Sequence, residues 1–330
     1  MGLTTEILRF FFIDIENNTE PTRPKTIGEF VQQPQYFETV NMIEVFQIIN
    51  KLKTEGYITS AGHFNKIDSN PLTNEALLSL NFDEGVANYG SYDFITEGFR
   101  SIANYFKNAV RPVIIKKGDK SLDIGTSFLL GNQHTLVTAR HVVEDAELIQ
   151  IPDINNGFIQ ANKIIFPKNE KIDLAIILAA NHAFKETPVF NVSNGEILEN
   201  VLTIGYPPIS GFDAMQLYEV SSINNAFKFS KGQIVGKDKS YFDDIEYTLI
   251  NAKVKGGNSG SPVINKKGNV VGVVVQIPMD SDDSTQLDRL GYGVVTPKSE
   301  IMKLLVSPDS SPELIEYEVE NLENGFRIKK

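Results

Sequence analysis

Three short segments of this 330-residue chain hold side chains that could do chemistry together. GGNSGSP, residues 256–262, sets Ser259 among small residues; LVTARHVVED contains His141, and NEKIDLAIIL contains Asp173. An unaided serine hydroxyl is a poor nucleophile, so hydrolysis through Ser259 needs a base beside it and a third group to orient that base. The chain has four histidines. His141 lies where an apolar run ends in small residues and a short helical turn begins, a position suited to holding an imidazole in a crevice. His134 falls in a hairpin tip, His63 in a polar loop and His182 after a strand, and these three read as surface residues. Asp173 opens an apolar run, so it is expected half-buried at a strand end, where a carboxylate wants a partner such as an imidazole N–H. Each segment taken alone has a plainer reading, a glycine-rich hairpin loop for Ser259 and a strand-capping carboxylate for Asp173. Chemistry follows only if the surrounding elements bring the three together.

Those elements change character near residue 110. Before it, VNMIEVFQIINKLKTEGYI places Ile43, Phe46, Ile48, Ile49 and Leu52 at helical spacing, with Gly56 as a stop. After it come short runs rich in Val, Ile and Phe, broken by Gly, Asn and Pro: VRPVIIKKG, GTSFLLGN, HTLVTA, AELIQIP, NKIIFP, DLAIIL, VLTIGYP, GQIVG, EYTLINAKV, SPVINKKG, VVGVVVQI and GYGVVTP. So many strands with short turns and almost no helix between them predict an antiparallel sandwich or barrel. The expected architecture is α+β and multidomain: a mainly helical domain over 1–110, an all-β domain over 111–306, and a C-terminal linker or tail over 307–330 that begins as linker and ends as either an added strand or a flexible tail. Residues 83–110, with EGFRSIANYFKNAV, read as a connecting helix.

Composition narrows the chemistry. The chain is 41% hydrophobic and 22% charged, enough to bury a sizeable core. A net charge of −11 and a pI near 5.0 oppose a large phosphate-binding surface, so nucleic acid is not an expected partner. Without cysteine there is no disulfide, no thiol nucleophile and no cysteine metal site. H-E-x-x-H, EF-hand and P-loop patterns are missing too, so neither a metal nor a cofactor is expected. No stretch approaches the roughly 20 apolar residues of a membrane span, and the N-terminal apolar run is bracketed by Arg9 and Asp14 with no basic region or cleavage site. A cytoplasmic location is the expectation.

TARHVV resembles the histidine segment of trypsin-like, chymotrypsin-fold serine proteases, DLAIIL their aspartate segment and GGNSGSP their nucleophile loop. The chain order histidine, aspartate, serine is that of this clan. The resemblance spans about residues 110–306 and is strongest with Deg/HtrA-like and other cofactor-free bacterial branches. It implies a double β-barrel, with His141 and Asp173 from the first barrel and Ser259 from the second. It also implies a serine endopeptidase in which Ser259 attacks a scissile carbonyl, His141 shuttles the proton and Asp173 orients the imidazole. The N–H groups of Gly257 and Ser259 would then form the oxyanion hole.

Substrate residues follow from the same resemblance. Val275, Gln276 and Ile277 should wall the pocket and pair with extended substrate. Lys253, six residues before Ser259, is either a cationic pocket floor suited to an acidic side chain or a solvent-facing residue on the alternating NAKVK strand. Residues 208–230 are long for a connection and read as a lid or docking loop. Where pancreatic-type members carry an aspartate before the nucleophile, this chain has Asn258, which offers no charge to a freed N-terminal amine. Activation by trimming is therefore not expected, and control through loop order, biased by the N-terminal region or a protein partner, is. VFQIINKLKTEGYI, a polar loop and LTNEALLSL loosely resemble a winged-helix module. Eight Lys and Arg against fourteen Asp and Glu over residues 1–110 favour protein docking over DNA binding. The competing functions are a non-catalytic peptide-binding adaptor and a winged-helix regulator that keeps a protease fold.

Overall fold

The computed structural model describes residues 2–14, 23–37, 39–64, 71–119, 121–153, 157–180, 183–207, 227–240, 244–254, 256–275, 291–305 and 313–329. The chain divides into two units, Met1–Ser101 and Ile102–Lys330.

The first unit runs α1 (Leu3–Phe11), β1 (Lys25–Thr26), α2 (Ile27–Val31), α3 (Met42–Thr54), β2 (Thr59–His63), a 3-10 turn at Pro71–Thr73, β3 (Glu75–Leu78), α4 (Glu84–Tyr89) and α5 (Ser91–Glu97). Its sheet has the order β1-β3-β2, antiparallel throughout. Thr26 and Glu29 form a reciprocal capping box at α2, and Asn41 caps α3, which satisfies N–H groups that a helix start leaves free. The helical face of α3 differs from the expected one. Val45, Ile49 and Leu52, spaced four and three apart, enter the core with Ile7, Leu8, Phe11, Phe30 and Leu77, whereas Ile43 is 68% exposed. At about 3.6 residues per turn Ile43 projects from the side of α3 opposite Val45 and Leu52, so it cannot share their core face.

The unit boundary falls inside α6 (Phe99–Phe106), not near residue 110. Ile102, Ala103 and Phe106 are buried, and Phe106 stacks on Phe190 of the second unit with centroids 4.1 Å apart. The helix expected as a connector is thus partly core.

Ten strands make the frame of the first barrel and the start of the second: β4 (Val110–Lys116), β5 (Leu122–Leu129), β6 (Thr135–Thr138), β7 (Leu148–Gln150), β8 (Ala161–Pro167), β9 (Ala175–Ala179), β10 (Asn200–Gly205), β11 (Lys228–Lys239), β12 (Glu246–Ile250) and β13 (Pro262–Asn265). They are followed by β14 (Val270–Val274), β15 (Gly293–Pro297), β16 (Leu314–Leu322) and β17 (Gly325–Ile328). All twelve apolar runs contain a strand. Six strands close one barrel in the order β10-β11-β12-β15-β14-β13.

The other barrel closes with eight strands, β16-β17-β7-β4-β5-β6-β9-β8. Two of these strands, β16 and β17, come from the C-terminal segment, where over 314–328 the added-strand alternative holds and a linker or flexible tail does not. β16 pairs with β8 from Leu314 opposite Pro167 to Glu318 opposite Lys163, and β17 meets β7 at Phe326 opposite Ile149. LIEYEVENL alternates as a strand should, and Glu323-Asn324 makes the two-residue turn, with Gly325 at φ +140° opening β17 opposite Leu322. The hairpin covers what would otherwise be two open edges on β7 and β8. A helix α7 (Arg140–Val143) follows β6, and α8 (Lys298–Leu304) follows β15.

Candidate active site

Strand register brings His141 and Asp173 together. β6 and β9 are antiparallel neighbours with Thr138 opposite Ala175, so the residues just after β6 and just before β9 leave the same end of the barrel. His141 is three residues past Thr138 and Asp173 two before Ala175. Their contact is double: the His141 backbone N–H donates to Asp173 Oδ1 at 2.9 Å, and His141 Nδ1 lies 2.7 Å from Asp173 Oδ2. A carboxylate only accepts, so Nδ1 is the donor, and in a neutral imidazole that leaves the lone pair on Nε2. The aspartate side chain is 11% exposed and the imidazole 38%, an oriented ring with an open side.

The backbone beneath the histidine is tightly set. An added Cβ at Gly125 on β5 would sit 2.6 Å from Val142 Cγ1, so only glycine lets α7 lie this close to the strand. A second carboxyl, Asp123, stands near. Burial alone would raise it; the hydrogen bond from the Lys117 ammonium and that from the Ile124 N–H outweigh burial and hold it below the usual range, with a smaller pull from His141.

Ser259 belongs to the connection between β12 and β13, and the first barrel holds that connection through Thr126 on β5. The Thr126 N–H donates to the Ser259 carbonyl at 2.9 Å, and its hydroxyl donates to the Gly257 carbonyl at 2.7 Å. The same hydroxyl accepts from the Tyr206 N–H at 3.2 Å, while the Thr126 carbonyl accepts from the Thr138 hydroxyl at 2.7 Å. Within the loop, Ser261 N–H donates to the Asn258 carbonyl and Gly260 N–H to the Val274 carbonyl, both at 2.8 Å. Gly257 (φ +86°) and Gly260 (φ +84°) take the left-handed backbone that an L side chain resists. Gly260 has no room either: a Cβ would fall 2.1 Å from the Thr126 carbonyl, 2.5 Å from Thr138 Oγ1 and 2.9 Å from the Ala139 nitrogen. The residue after Ser259 therefore touches the chain two residues before His141.

The remaining sequence-predicted residues are placed as follows. Gly257 and Asn258 are buried and Ser259 is half-buried. Val275 is 6% exposed, and its N–H is spent on the Val294 carbonyl at 3.1 Å. Lys253 is exposed, past the end of β12 at Ile250 and not on a strand. Gln276 and Ile277 lie outside the described residues, as do His182 and residues 208–226 of the expected lid. Sequence reasoning missed Thr126 and Arg140 as site residues. Their signal is a buried polar or charged side chain inside an apolar run, Thr126 in GTSFLLGN at 0% exposure and Arg140 in TARHVV at 5%. Among the described residues no group of three or more His, Asp or Glu could hold a metal ion.

Residues 125–273 match the family model of the trypsin-like peptidase domain. Human serine protease HTRA4 is 28% identical over 153 residues, 45% of this chain and 29% of that protein. A probable periplasmic DegP-like serine endoprotease of Pseudomonas putida is 28% identical over 167 residues, 49% of this chain and 31% of that protein. The chain thus spans less than a third of the length of these curated relatives. A solved HtrA-type protease, AlgW with tripeptide, superposes with a TM-score of 0.49 at 17% identity, covering 68% of this chain and 69% of that one. Within this chain, residues 125–273 are therefore similar to the trypsin-like peptidase domain and to the serine proteases of the Deg/HtrA type.

Proposed function

We propose that the chain is a serine endopeptidase working through a His141–Asp173–Ser259 triad. The observation that carries this reading is a buried carboxylate that accepts from both the backbone N–H and the ring Nδ1 of His141, on a segment that the nucleophile loop packs against at Gly260. In the reaction Ser259 Oγ attacks the scissile carbonyl while His141 Nε2 takes its proton; the imidazolium then returns that proton to the leaving amine. Water repeats the sequence on the acyl-enzyme. Asp173 keeps the tautomer and stabilises the imidazolium. The Gly257 and Ser259 N–H groups receive the negative charge that grows on the carbonyl oxygen, the role in which one donor is worth on the order of 100-fold in turnover. A fluorophosphonate should label the wild-type chain at Ser259, and Ser259→Ala should abolish labelling and peptide cleavage. Labelling that persists in Ser259→Ala rejects the assignment.

Residues 1–101 are proposed as a winged-helix-like docking module for a protein partner or substrate. Supporting this are the element order helix, strand, helix, helix, strand, strand and a sheet in which β3 lies between β1 and β2. The acidic balance of the region disfavours phosphate backbones. Asn258, buried and uncharged, gives no partner to a freed amine, so the untrimmed chain is proposed as the active form. Removing residues 1–101 should leave short-peptide cleavage intact while losing cleavage of a protein substrate captured by Ser259→Ala. Activation on removal would make the region a propeptide instead.

A further inference from the structure

We infer that Arg140 is a positioning residue for the His141–Asp173 pair, held in register by the C-terminal hairpin β16–β17; the inference rests on the triad proposed above. Arg140 is 5% exposed, an uncommon depth for a guanidinium. From α7 it reaches back to the end of β8. Nη1 donates to the Pro167 carbonyl at 3.0 Å, Nη2 donates to Glu144 Oε1 at 2.6 Å, and the guanidinium carbon sits 5.0 Å from the centre of the Phe166 ring. Nε is buried and finds no hydrogen-bond partner among the described residues. A buried cation with an unmatched donor is weak as a stabilising device; the best-attested use of such a group is to specify one geometry among several.

The geometry it specifies is that of the pair. Arg140 is the neighbour of His141, and Pro167 ends the strand whose short exit turn, closed by Ile172 N–H to the Asn169 carbonyl at 3.0 Å, leads to Asp173. The bond from Arg140 to Pro167 and the two bonds from His141 to Asp173 therefore tie the same two segments, one at the root and one at the tip. If β8 slid against α7, all three would change together.

The hairpin governs that slide. Pro167 lies opposite Leu314 of β16, Phe166 opposite Ile315, and the Lys168 N–H donates to the Glu313 carbonyl at 2.7 Å. Phe166 also packs edge-to-face with Tyr317 of the same strand β16, centroids 5.5 Å apart and rings at 72°. The aromatic face on which Arg140 rests is thus set by a residue more than a hundred positions beyond Asp173. A planar, always-charged fork is suited to such a three-way hold, whereas a lysine ammonium is a point charge that cannot reproduce it.

The test uses the full chain with Arg140→Met, Arg140→Lys, Arg140→Gln and Tyr317→Leu, each checked for folding by circular dichroism. One readout needs no substrate: the downfield proton resonance of His141 Nδ1–H, assigned by its loss in His141→Asn. The other is the separation of kcat from KM on a short peptide. Arg140→Met should broaden or remove the resonance and lower kcat by about tenfold or more with KM nearly unchanged, the pattern of a misplaced catalytic group. Arg140→Lys and Arg140→Gln should recover part of both signals. Tyr317→Leu should give a smaller loss of the same kind and add little to Arg140→Met.

A folded Arg140→Met chain with the wild-type resonance and kcat overturns the inference. If that variant does not fold, Arg140→Gln and Tyr317→Leu decide, and wild-type behaviour in both overturns it equally. Should the wild type neither label at Ser259 nor cleave peptides, the proposed function fails, while the resonance still decides whether Arg140 positions the pair.

Discussion

The two barrels hold their parts of the site by different means. The first fixes a pair of side chains: His141 and Asp173 leave the ends of adjacent strands in fixed register and bind each other directly. The second supplies a loop whose value lies in its backbone, with Gly257 and Gly260 at positive φ around Ser259. Two side chains that bind each other are brought together by strand pairing within one barrel, with the Arg140 hold on Pro167 tying the same two segments. A loop with two left-handed glycines, proposed to expose a hydroxyl and aim N–H groups, needs an outside support, and here the support comes from the other barrel, through Thr126, Thr138 and Ala139. The barrels differ in closure as well. The second is built from strands between residues 200 and 297, whereas the first spans 110–179 and closes only with strands from 314–328. Closing it therefore orders a much longer stretch of chain.

The sharpest way to break this comparison is at the pair. Asp173→Asn preserves shape but reverses the hydrogen-bond logic at Nδ1, and turnover should fall on the order of 10,000-fold with the fold intact. A loss below tenfold, measured on a folded variant, would mean that the first barrel does not preset the imidazole.

At the loop, Gly260→Ala should destabilise by more than about 2 kcal/mol, because it combines a forbidden backbone with contacts that only backbone movement can relieve. Denaturant unfolding measures this, and a neutral result would show that the loop is not wedged against the first barrel. Thr126→Val tests the support itself. It removes the hydroxyl that Gly257's buried carbonyl accepts from, at a cost of about 1–3 kcal/mol. Peptide turnover should fall with it, and Thr126→Ser should restore both.

The smallest effect concerns Tyr206, which follows β10 of the second barrel and donates its buried hydroxyl to the Val110 carbonyl of the first at 3.0 Å. Burial raises its phenol far above the ordinary value, a shift that the nearby Arg111 reduces only in part. Because the folded state holds this proton more tightly than the unfolded one, the bond contributes fully below about pH 10 and its contribution falls as pH rises beyond that. Tyr206→Phe should cost about 1 kcal/mol at neutral pH and flatten the alkaline loss of stability. An unchanged alkaline limb would remove Tyr206 from the inter-barrel contacts.

What was readable from the sequence was local. Each of the twelve apolar runs bears a strand because a short Val- and Ile-rich run between turn residues has few other ways to bury itself. The three chemistry-bearing segments stood out because glycine clusters and lone polar residues beside apolar runs are rare where no special backbone or partner is required. LIEYEVENLENGFRI carried its own hairpin signal in alternation and Asn-Gly, yet what it pairs with was not encoded nearby: its partners lie near residues 149 and 163–167. Only the tertiary structure decided that the tail closes the first barrel, that α6 gives its second half to the second unit, and that Ile43 stays in water while Val45 is buried. The same holds for Thr126 and Arg140. Their roles depend on which carbonyls lie within 3 Å across a barrel, and such contacts between distant segments arise from packing and closure, not from any residue's own preference.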